Sequence, residues 1–222
     1  MLAVVARGLH DLKDQVVFVG GAVVDLYITR PGVGPLRATD DVDCVVAITS
    51  RVDYGILEKK LRALGFKHPI GEEGVPLCRW RFHGIAVDVM PTEGKVLGFN
   101  NRWYPEGVAN AQRVKLADGA EISVFTLPYF IASKLEAFLD RGKGDFYGSP
   151  DIEDIVAVVD GAEDFPEKIS SAPDSVKAYL RGKFEELLKS DLFLQSIPGH
   201  LGPEVGVGRA DQAIKVLRSF LG

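Results

Sequence analysis

The acids whose spacing best suits catalysis are Asp41 and Asp43, which lie one residue apart where a valine-rich segment begins. Side chains alternate between the two faces of a β-strand, so both carboxylates are expected on the same face. Two carboxylates this close raise the cost of ionising each other, and a divalent cation removes that conflict. Magnesium takes oxygen ligands of this kind. The alternative is a polar strand entry whose acids face solvent.

A third acid, Asp88, interrupts the apolar segment 85–90. Aspartate is a poor strand former and is rarely buried without a partner. A carboxylate in the middle of such a strand therefore predicts a compensating cation. One interpretation is a metal ion shared with the Asp-x-Asp pair, and the other is a salt bridge to Arg79 or Arg81 on the preceding strand.

The pair Gly20-Gly21 follows an apolar run and precedes a predicted helix. Residues without side chains let the backbone approach a phosphate closely, and the first N–H groups of a helix are free to bind it. We interpret the pair as a phosphate-binding turn that would hold a nucleotide. An ordinary glycine turn is the alternative, because the pair matches neither of the longer glycine-rich phosphate motifs.

Three further residues, Lys134, Arg141 and Asp154, are candidates for binding the nucleotide. Lys134 and Arg141 lie seven residues apart and share one face of a predicted helix. They are expected to face an anion in a cleft, or alternatively to extend to water along apolar surface. Asp154 follows the helix start at Ser149-Pro150, where acids also suit the positive end of the helix dipole.

These residues need a mixed α/β framework (α+β), in which a sheet flanked by helices is followed by a helical part. We expect residues 1–125 to form a catalytic domain, and residues 126–222 to form a helical domain that completes the nucleotide cleft. Apolar runs and turn signals predict strands at 16–19, 42–48, 77–82, 85–90, 112–116 and 121–125. Helical patterns cover 1–13, 22–29, 52–64, 127–141, 150–160, 173–190 and 209–221, with loops at 142–148 and 198–208.

The bulk properties are those of a folded protein with 222 residues and a net charge of −5. A dedicated nucleic-acid binder is usually basic, so an RNA acceptor would need a local basic patch. Cys44 and Cys78 are not in a C-x-x-C pair and the histidines are scattered, which argues against zinc. Without a signal peptide or a long apolar stretch, we expect a cytoplasmic protein with no membrane partner.

The sequence resembles the polymerase-beta-like nucleotidyltransferase superfamily. The resemblance rests on Val19-Gly20-Gly21-Ala22, on Asp41-Val42-Asp43 and on Asp88 among apolar residues. The later segments 134–141 and 151–154 are similar to the AbiEii type of minimal nucleotidyltransferase, a group that includes toxins of toxin–antitoxin and phage-defence systems. In that group Lys134 would match the family's lysine and Asp154 the acid of its last motif.

The resemblance implies an enzyme of the EC 2.7.7 type that moves a nucleoside monophosphate from an NTP such as ATP to an acceptor. Asp41, Asp43 and Asp88 would bind two Mg²⁺ ions, for which Mn²⁺ can substitute. Asp88 would also help to deprotonate the acceptor. The acceptor would be tRNA or another RNA, and the partner a cognate antitoxin. The alternatives are a transferase acting on a small molecule such as an antibiotic, a non-catalytic nucleotide-binding module and a metal phosphohydrolase.

Overall fold

The computed structural model describes residues 1–31, 33, 37–69, 71, 74–98, 101–202 and 207–221. The chain forms two compact units, one of residues 1–23 with 38–126 and one of residues 24–37 with 127–222. The segment 24–37 therefore departs from the predicted division after residue 125. The assignment of a catalytic domain and a helical domain that completes a cleft stays a prediction.

The first unit is built on a mixed sheet of six strands among its described residues. These are β1 (Val16–Val19), β2 (Asp41–Val46), β3 (Arg79–Phe82), β4 (Ile85–Pro91), β5 (Gln112–Lys115) and β6 (Glu121–Val124). Their spatial order is β3-β4-β2-β1-β6-β5. Strand β2 runs parallel to β4 and antiparallel to β1, and β1 runs parallel to β6. The mixed sheet with helices confirms the predicted α/β fold class.

Burial along the central strands follows from their sequences. All four residues of the apolar strand β1 are buried. In β2 the residues alternate, so that Val42 and Cys44 are buried whereas Asp41 and Asp43 are half-buried on the other face. This alternation is the expected period of two for a strand. It confirms that the two acids of the Asp-x-Asp pair share a face.

The turns of the first unit use residues that tolerate left-handed backbone. His83 and Gly84 join β3 to β4 with φ values of 48° and 81°. Two successive positive φ values are those of a type I′ hairpin turn, whose twist matches that of the strands. Gly119, with φ of 88°, lies in the predicted hairpin between β5 and β6.

Four α-helices lie among the described residues of the first unit: α1 (Leu2–Leu9), α2 (Arg51–Ala63), α3 (Gly94–Leu97) and α4 (Tyr104–Ala109). Ser50 caps α2 by accepting a hydrogen bond from the Asp53 N–H at 3.1 Å. The sequence did not predict α3 and α4, because single-turn helices carry almost no periodic signal. The α-helix predicted at 22–29 was wrong, since residues Gly21–Tyr27 form a 3-10 helix instead.

The second unit is helical, with α5 (Leu127–Arg141), α6 (Pro150–Gly161), α7 (Phe165–Ser170), α8 (Asp174–Leu188), α9 (Asp191–His200) and α10 (Val207–Arg218). Helices α7 and α9 were not predicted. The predicted loop at 198–208 was wrong for residues 198–200, which end α9, and for residues 207–208, which begin α10, while residues 203–206 lie outside the described part of the chain. Phe193 and Ile197 lie four residues apart in α9 and are fully buried. Their packing stabilises a helix that contains Pro198.

The segment 24–37 is held against the helices of its own unit. The Tyr27 ring lies 4.7 Å from that of Phe130. The backbone N–H groups of Thr29 and Arg30 both donate to the Gly161 carbonyl at 2.9 Å. These contacts explain why a segment that is early in sequence belongs to the second unit.

None of the helices in the described part of the chain combines the length and the apolar character needed to cross a membrane.

Candidate metal site and a buried ion-pair network

The three acids singled out by sequence meet on neighbouring strands. Parallel pairing of β2 with β4 places Asp43 directly opposite Asp88, and Asp41 is one strand repeat before Asp43. One carboxylate oxygen from each acid lies within 4.8 Å of the others. Opposite ligands of a magnesium ion lie about 4 Å apart, twice the metal–oxygen distance. The acids therefore converge to nearly the spacing that one small divalent ion requires.

A protein cation already bridges two of these acids. Arg79 on β3 donates from Nε to Asp88 Oδ1 at 2.8 Å and from Nη2 to Asp88 Oδ2 at 2.7 Å. The same Nη2 donates to Asp41 Oδ2 at 3.1 Å. The alternative salt bridge from Asp88 to Arg79 or Arg81 is thus confirmed for Arg79, and it coexists with the convergence of the three acids. The hydrogen bond to Asp88 raises the pKa of the Arg79 guanidinium, which keeps its charge.

The carboxylate of Asp43 leaves no room for a side chain at Gly20. Gly20 follows Val19, which pairs with Asp43 across β1 and β2. A Cβ atom at Gly20 would overlap Asp43 Oδ2 and would lie 2.7 Å from Asp43 Cγ. The φ of 72° adds a second reason, because L side chains rarely adopt it. The glycine turn therefore gives the carboxylate of Asp43 the space that it occupies.

Gly21 begins the 3-10 helix, so the expected α-helix N-terminus behind the turn is absent there. Phosphate binding at Gly20 and Gly21 stays a prediction that rests on backbone N–H groups alone.

The hydroxyl of Thr39 also contacts the acidic cluster. It donates from Oγ1 to Asp41 Oδ1 at 2.9 Å. This contact was not predicted from the sequence. The available signal was a hydroxyl residue two positions before the first acid, where an extended backbone brings both side chains to one side.

Two buried thiols lie near the acids. Burial raises the pKa of the Cys44 thiol, and the negative charges of Asp43 and Asp88 raise it further. Burial likewise raises the pKa of Cys78 to about 12. Both cysteines are free and buried, and their thiols stay protonated at neutral pH.

In the second unit, Lys134 lies inside an ion-pair network. Its Nζ contacts Asp151 Oδ1 at 3.1 Å and Asp154 Oδ2 at 2.7 Å, and only 9% of its side chain is exposed. Asp154 also accepts from Arg37 Nη2 at 3.3 Å. These pairs account structurally for Lys134 and Asp154. The ion pairs do not test whether Lys134 and Asp154 bind a nucleotide, so that role stays a prediction.

Arg141 extends the same network towards solvent. It donates from Nε to Asp151 Oδ2 at 3.0 Å and from Nη2 to Asp151 Oδ1 at 2.9 Å, while 66% of its side chain is exposed. Burial acts to raise the pKa of Asp151, but the hydrogen bond from Arg141 and the charge of Lys134 outweigh it. The pKa of this carboxyl is therefore below its ordinary value.

Neither a protein-family model nor a curated protein sequence matches this chain. Among solved structures, the chain is similar to the solution structure of the antibiotic-resistance factor ANT(2'')-Ia, with a TM-score of 0.52 and 16% sequence identity. The match covers 84% of this chain and 94% of that one. At this identity the similarity concerns the fold alone, which is similar to a nucleotidyltransferase fold.

Proposed function

We propose that this protein is a magnesium-dependent nucleotidyltransferase. The observation that carries the proposal is the convergence of Asp41, Asp43 and Asp88 on two neighbouring strands of a nucleotidyltransferase-type fold. Gly20 supports it, because its missing side chain leaves room for the carboxylate of Asp43. Three carboxylates that converge repel one another, and this cost is unexpected unless a ligand such as a metal ion offsets it.

The residues present fit a divalent ion. The donor set consists of carboxylate oxygens, which magnesium and manganese both accept. Arg79 bridges two of the acids, so a positive charge is stable between them. Asp41, Asp43 and Asp88 would hold the metal, which we propose to be two Mg²⁺ ions. When bound, such ions stabilise charge on the attacking and leaving oxygens of a displacement at phosphorus.

The proposed reaction forms a bond between an acceptor oxygen and the α-phosphorus of an NTP. It breaks the bond from that phosphorus to the bridging oxygen, and pyrophosphate leaves with the electron pair. The proton of the acceptor hydroxyl passes to the Asp88 carboxylate, which lies opposite Asp43. The backbone N–H groups of Gly20 and Gly21 would hold the terminal phosphates of the nucleotide.

In the second unit, we propose that Lys134, Arg141 and Asp154 contribute to nucleotide binding. Arg141 is the most accessible of the three, because its side chain is largely exposed even while it binds Asp151. Replacing Arg141 with Met should weaken NTP binding and leave the fold intact. An unchanged dissociation constant for the NTP would assign this network to stability alone.

Two acceptor classes follow from different observations. The similarity to an antibiotic nucleotidyltransferase favours a small-molecule acceptor. The net charge of −5 agrees with it, since an acidic protein attracts a polycationic antibiotic and repels RNA. The resemblance of segments 134–141 and 151–154 to AbiEii-type enzymes favours RNA and a toxin whose partner is an antitoxin. We favour the small-molecule acceptor.

The test supplies each NTP, labelled at the α-phosphate, together with Mg²⁺ and one acceptor preparation. One preparation is a panel of aminoglycosides and the other is total cellular RNA. A labelled antibiotic, absent with the Asp43→Ala variant, would support the small-molecule assignment. A labelled tRNA-sized band would support the RNA assignment instead. NTP binding without transfer would indicate a non-catalytic module, and phosphate release without a labelled acceptor would indicate a phosphohydrolase.

A further inference from the structure

We infer that Arg79 is a built-in counter-ion that exchanges with the metal at Asp41 and Asp88. In the absence of metal its guanidinium neutralises the two acids, and a divalent ion must displace it from them. The inference rests on the proposed metal site and adds a competing cation to it. Arg79 would thereby set how much metal the protein needs before its site is filled.

The hydrogen bonds around the two acids support competition. Three of their four carboxylate oxygens accept from Arg79: both oxygens of Asp88 and Oδ2 of Asp41. The fourth, Asp41 Oδ1, accepts from Thr39. A metal ion bound by these two carboxylates must therefore take oxygens that already have a donor within 3.1 Å.

Electrostatics makes simultaneous full occupancy unfavourable. Magnesium binds oxygen at about 2.1 Å, and the Arg79 nitrogens are 2.7 to 3.1 Å from the same oxygens. A dication and a guanidinium on shared ligands would then be only a few ångströms apart. At that distance like charges repel strongly in a partly buried site. The two-pronged fork on Asp88 must loosen for the ion to bind with ideal geometry.

Arg79 can move without disturbing the sheet. It lies on β3, which is an edge strand of the sheet, and 26% of its side chain is exposed. Its backbone is held separately, because its N–H donates to the Pro76 carbonyl at 3.0 Å. The side chain can therefore turn towards water while the strand stays paired with β4.

Arg81 supplies the matched control. It is on the same strand and the same face, one repeat further along, where it pairs with Ala86 rather than with an acid of the cluster. Replacing either arginine with Met removes one positive charge from β3 and keeps a long apolar side chain. A difference between the two variants then reports direct contact with the acids rather than the general charge of the strand.

The experiment titrates Mn²⁺ into the full chain by isothermal calorimetry. We expect Arg79→Met to bind Mn²⁺ about tenfold more tightly than wild type, because no guanidinium competes. Arg81→Met should stay within about twofold of wild type, since Arg81 pairs in register with Ala86 and not with Asp88. Without metal, Arg79→Met should melt below wild type, and saturating Mn²⁺ should narrow or reverse that difference.

A measurement on the wild-type chain covers the case in which Arg79→Met does not fold. The Nε–H signal of Arg79 in ¹⁵N NMR spectra is assigned by its loss in Arg79→Lys. Saturating Mg²⁺ should shift this signal and speed its exchange with water, because the hydrogen bond to Asp88 is lost. If the chemical shift and the exchange rate of this signal stay unchanged while Mg²⁺ binds to the cluster, the proposed exchange of Arg79 with the metal is overturned.

The outcomes separate this inference from the proposed function. If Arg79→Met binds Mn²⁺ as wild type does, or more weakly, exchange is refuted while the metal site stands. Weaker binding would mean that Arg79 positions the carboxylates for the ion. If no protein binds Mn²⁺ at millimolar concentration, with or without an NTP, both the exchange and the proposed metal site fail.

Discussion

Two clusters of acids in this protein are compensated in different ways. In the strand cluster, defined as Asp41, Asp43, Asp88 and Arg79, one guanidinium is hydrogen bonded to two carboxylates. In the helix cluster, defined as the three buried aspartates of α6 and their partners, each aspartate contacts two cations. Those contacts are Asp151 with Lys134 and Arg141, Asp154 with Lys134 and Arg37, and Asp160 with Arg30 and Arg209.

The two clusters differ in whether the protein's own cations fully compensate their acids. The helix acids are almost fully buried, with side-chain exposures of 0 to 4%, and burial of charge is tolerated only with close partners. In the strand cluster Asp41 and Asp43 are half-buried, with 34% of the Asp41 side chain exposed, whereas Asp88 is buried. The proposed metal ion can therefore reach the strand cluster from solvent through Asp41 and Asp43, whereas the aspartates of the helix cluster are compensated by the protein's own cations.

The largest predicted effect follows from removing an acid of the strand cluster. Asp43→Ala should lower nucleotidyl transfer by at least about a thousandfold, because the metal would lose a ligand. The free energy of unfolding should change little, since one of three mutually repelling charges is gone. The matched control is Asp40→Ala, which removes the neighbouring, exposed acid. Equal activity losses in both variants would contradict the division between clustered and solvent-exposed acids.

The helix cluster should respond in the opposite way. Asp151→Asn leaves the buried Lys134 and the Arg141 fork without their shared carboxylate, and should destabilise the protein by about 3 kcal/mol. Urea unfolding followed by circular dichroism measures this loss. Asp174→Asn is the control, because Asp174 is 99% exposed and its pair with Lys177 is worth at most about 1 kcal/mol. If Asp151→Asn unfolds with the same free energy as wild type, Asp151 does not stabilise the fold as predicted.

The glycine turn tests how strictly the strand cluster is positioned. Gly20→Ala should cost about 1 kcal/mol of stability, because alanine disfavours the positive φ at this position. It should also lower activity about tenfold, because the added Cβ would displace the carboxylate of Asp43. Gly65→Ala is matched for backbone strain, with φ of 90°, but its Cβ would be 3.9 Å from the nearest side-chain atom. If both variants lose stability and activity alike, close approach of the Asp43 carboxylate is not what requires Gly20.

The smallest predicted effect is a pH dependence within the helix cluster. The pKa of Asp151 is lower in the folded protein than its ordinary value. The stability that this carboxylate contributes is therefore complete above the unfolded pKa of about 3.9, and it is lost as the pH falls through the folded pKa. The stability difference between wild type and Asp151→Asn should shrink below about pH 4. A difference that grows on acidification would contradict the sign of the shift.

The sequence predicted the parts of the site that depend on residues close to one another in the chain. Valine-rich runs and a period of two put Asp41 and Asp43 on one face, and Gly20 ended the first strand as expected. The strand cluster itself depends on the parallel pairing of β2 with β4, which joins segments more than 40 residues apart. That register places Asp43 opposite Asp88. The apolar pattern predicted the two strands but not how they pair.

The sequence could not predict how the cations are distributed. Arg79 and Arg81 were equivalent partners for Asp88 from their spacing, and the register of the β3–β4 hairpin selects Arg79. The contacts of Lys134 with two acids of α6 were likewise not predicted. Partners from distant segments, such as Arg37 on Asp154, arise from tertiary packing and leave no local pattern in the sequence.

The most direct test of the account is a manganese titration followed by electron paramagnetic resonance, in which free Mn²⁺ is counted. Wild type, Asp43→Asn and Asp151→Asn are compared at a temperature where all three are folded. The account predicts that wild type and Asp151→Asn bind the ion, whereas Asp43→Asn leaves it free. Binding retained in Asp43→Asn, or lost in folded Asp151→Asn alone, would contradict the assignment of the metal to the strand cluster.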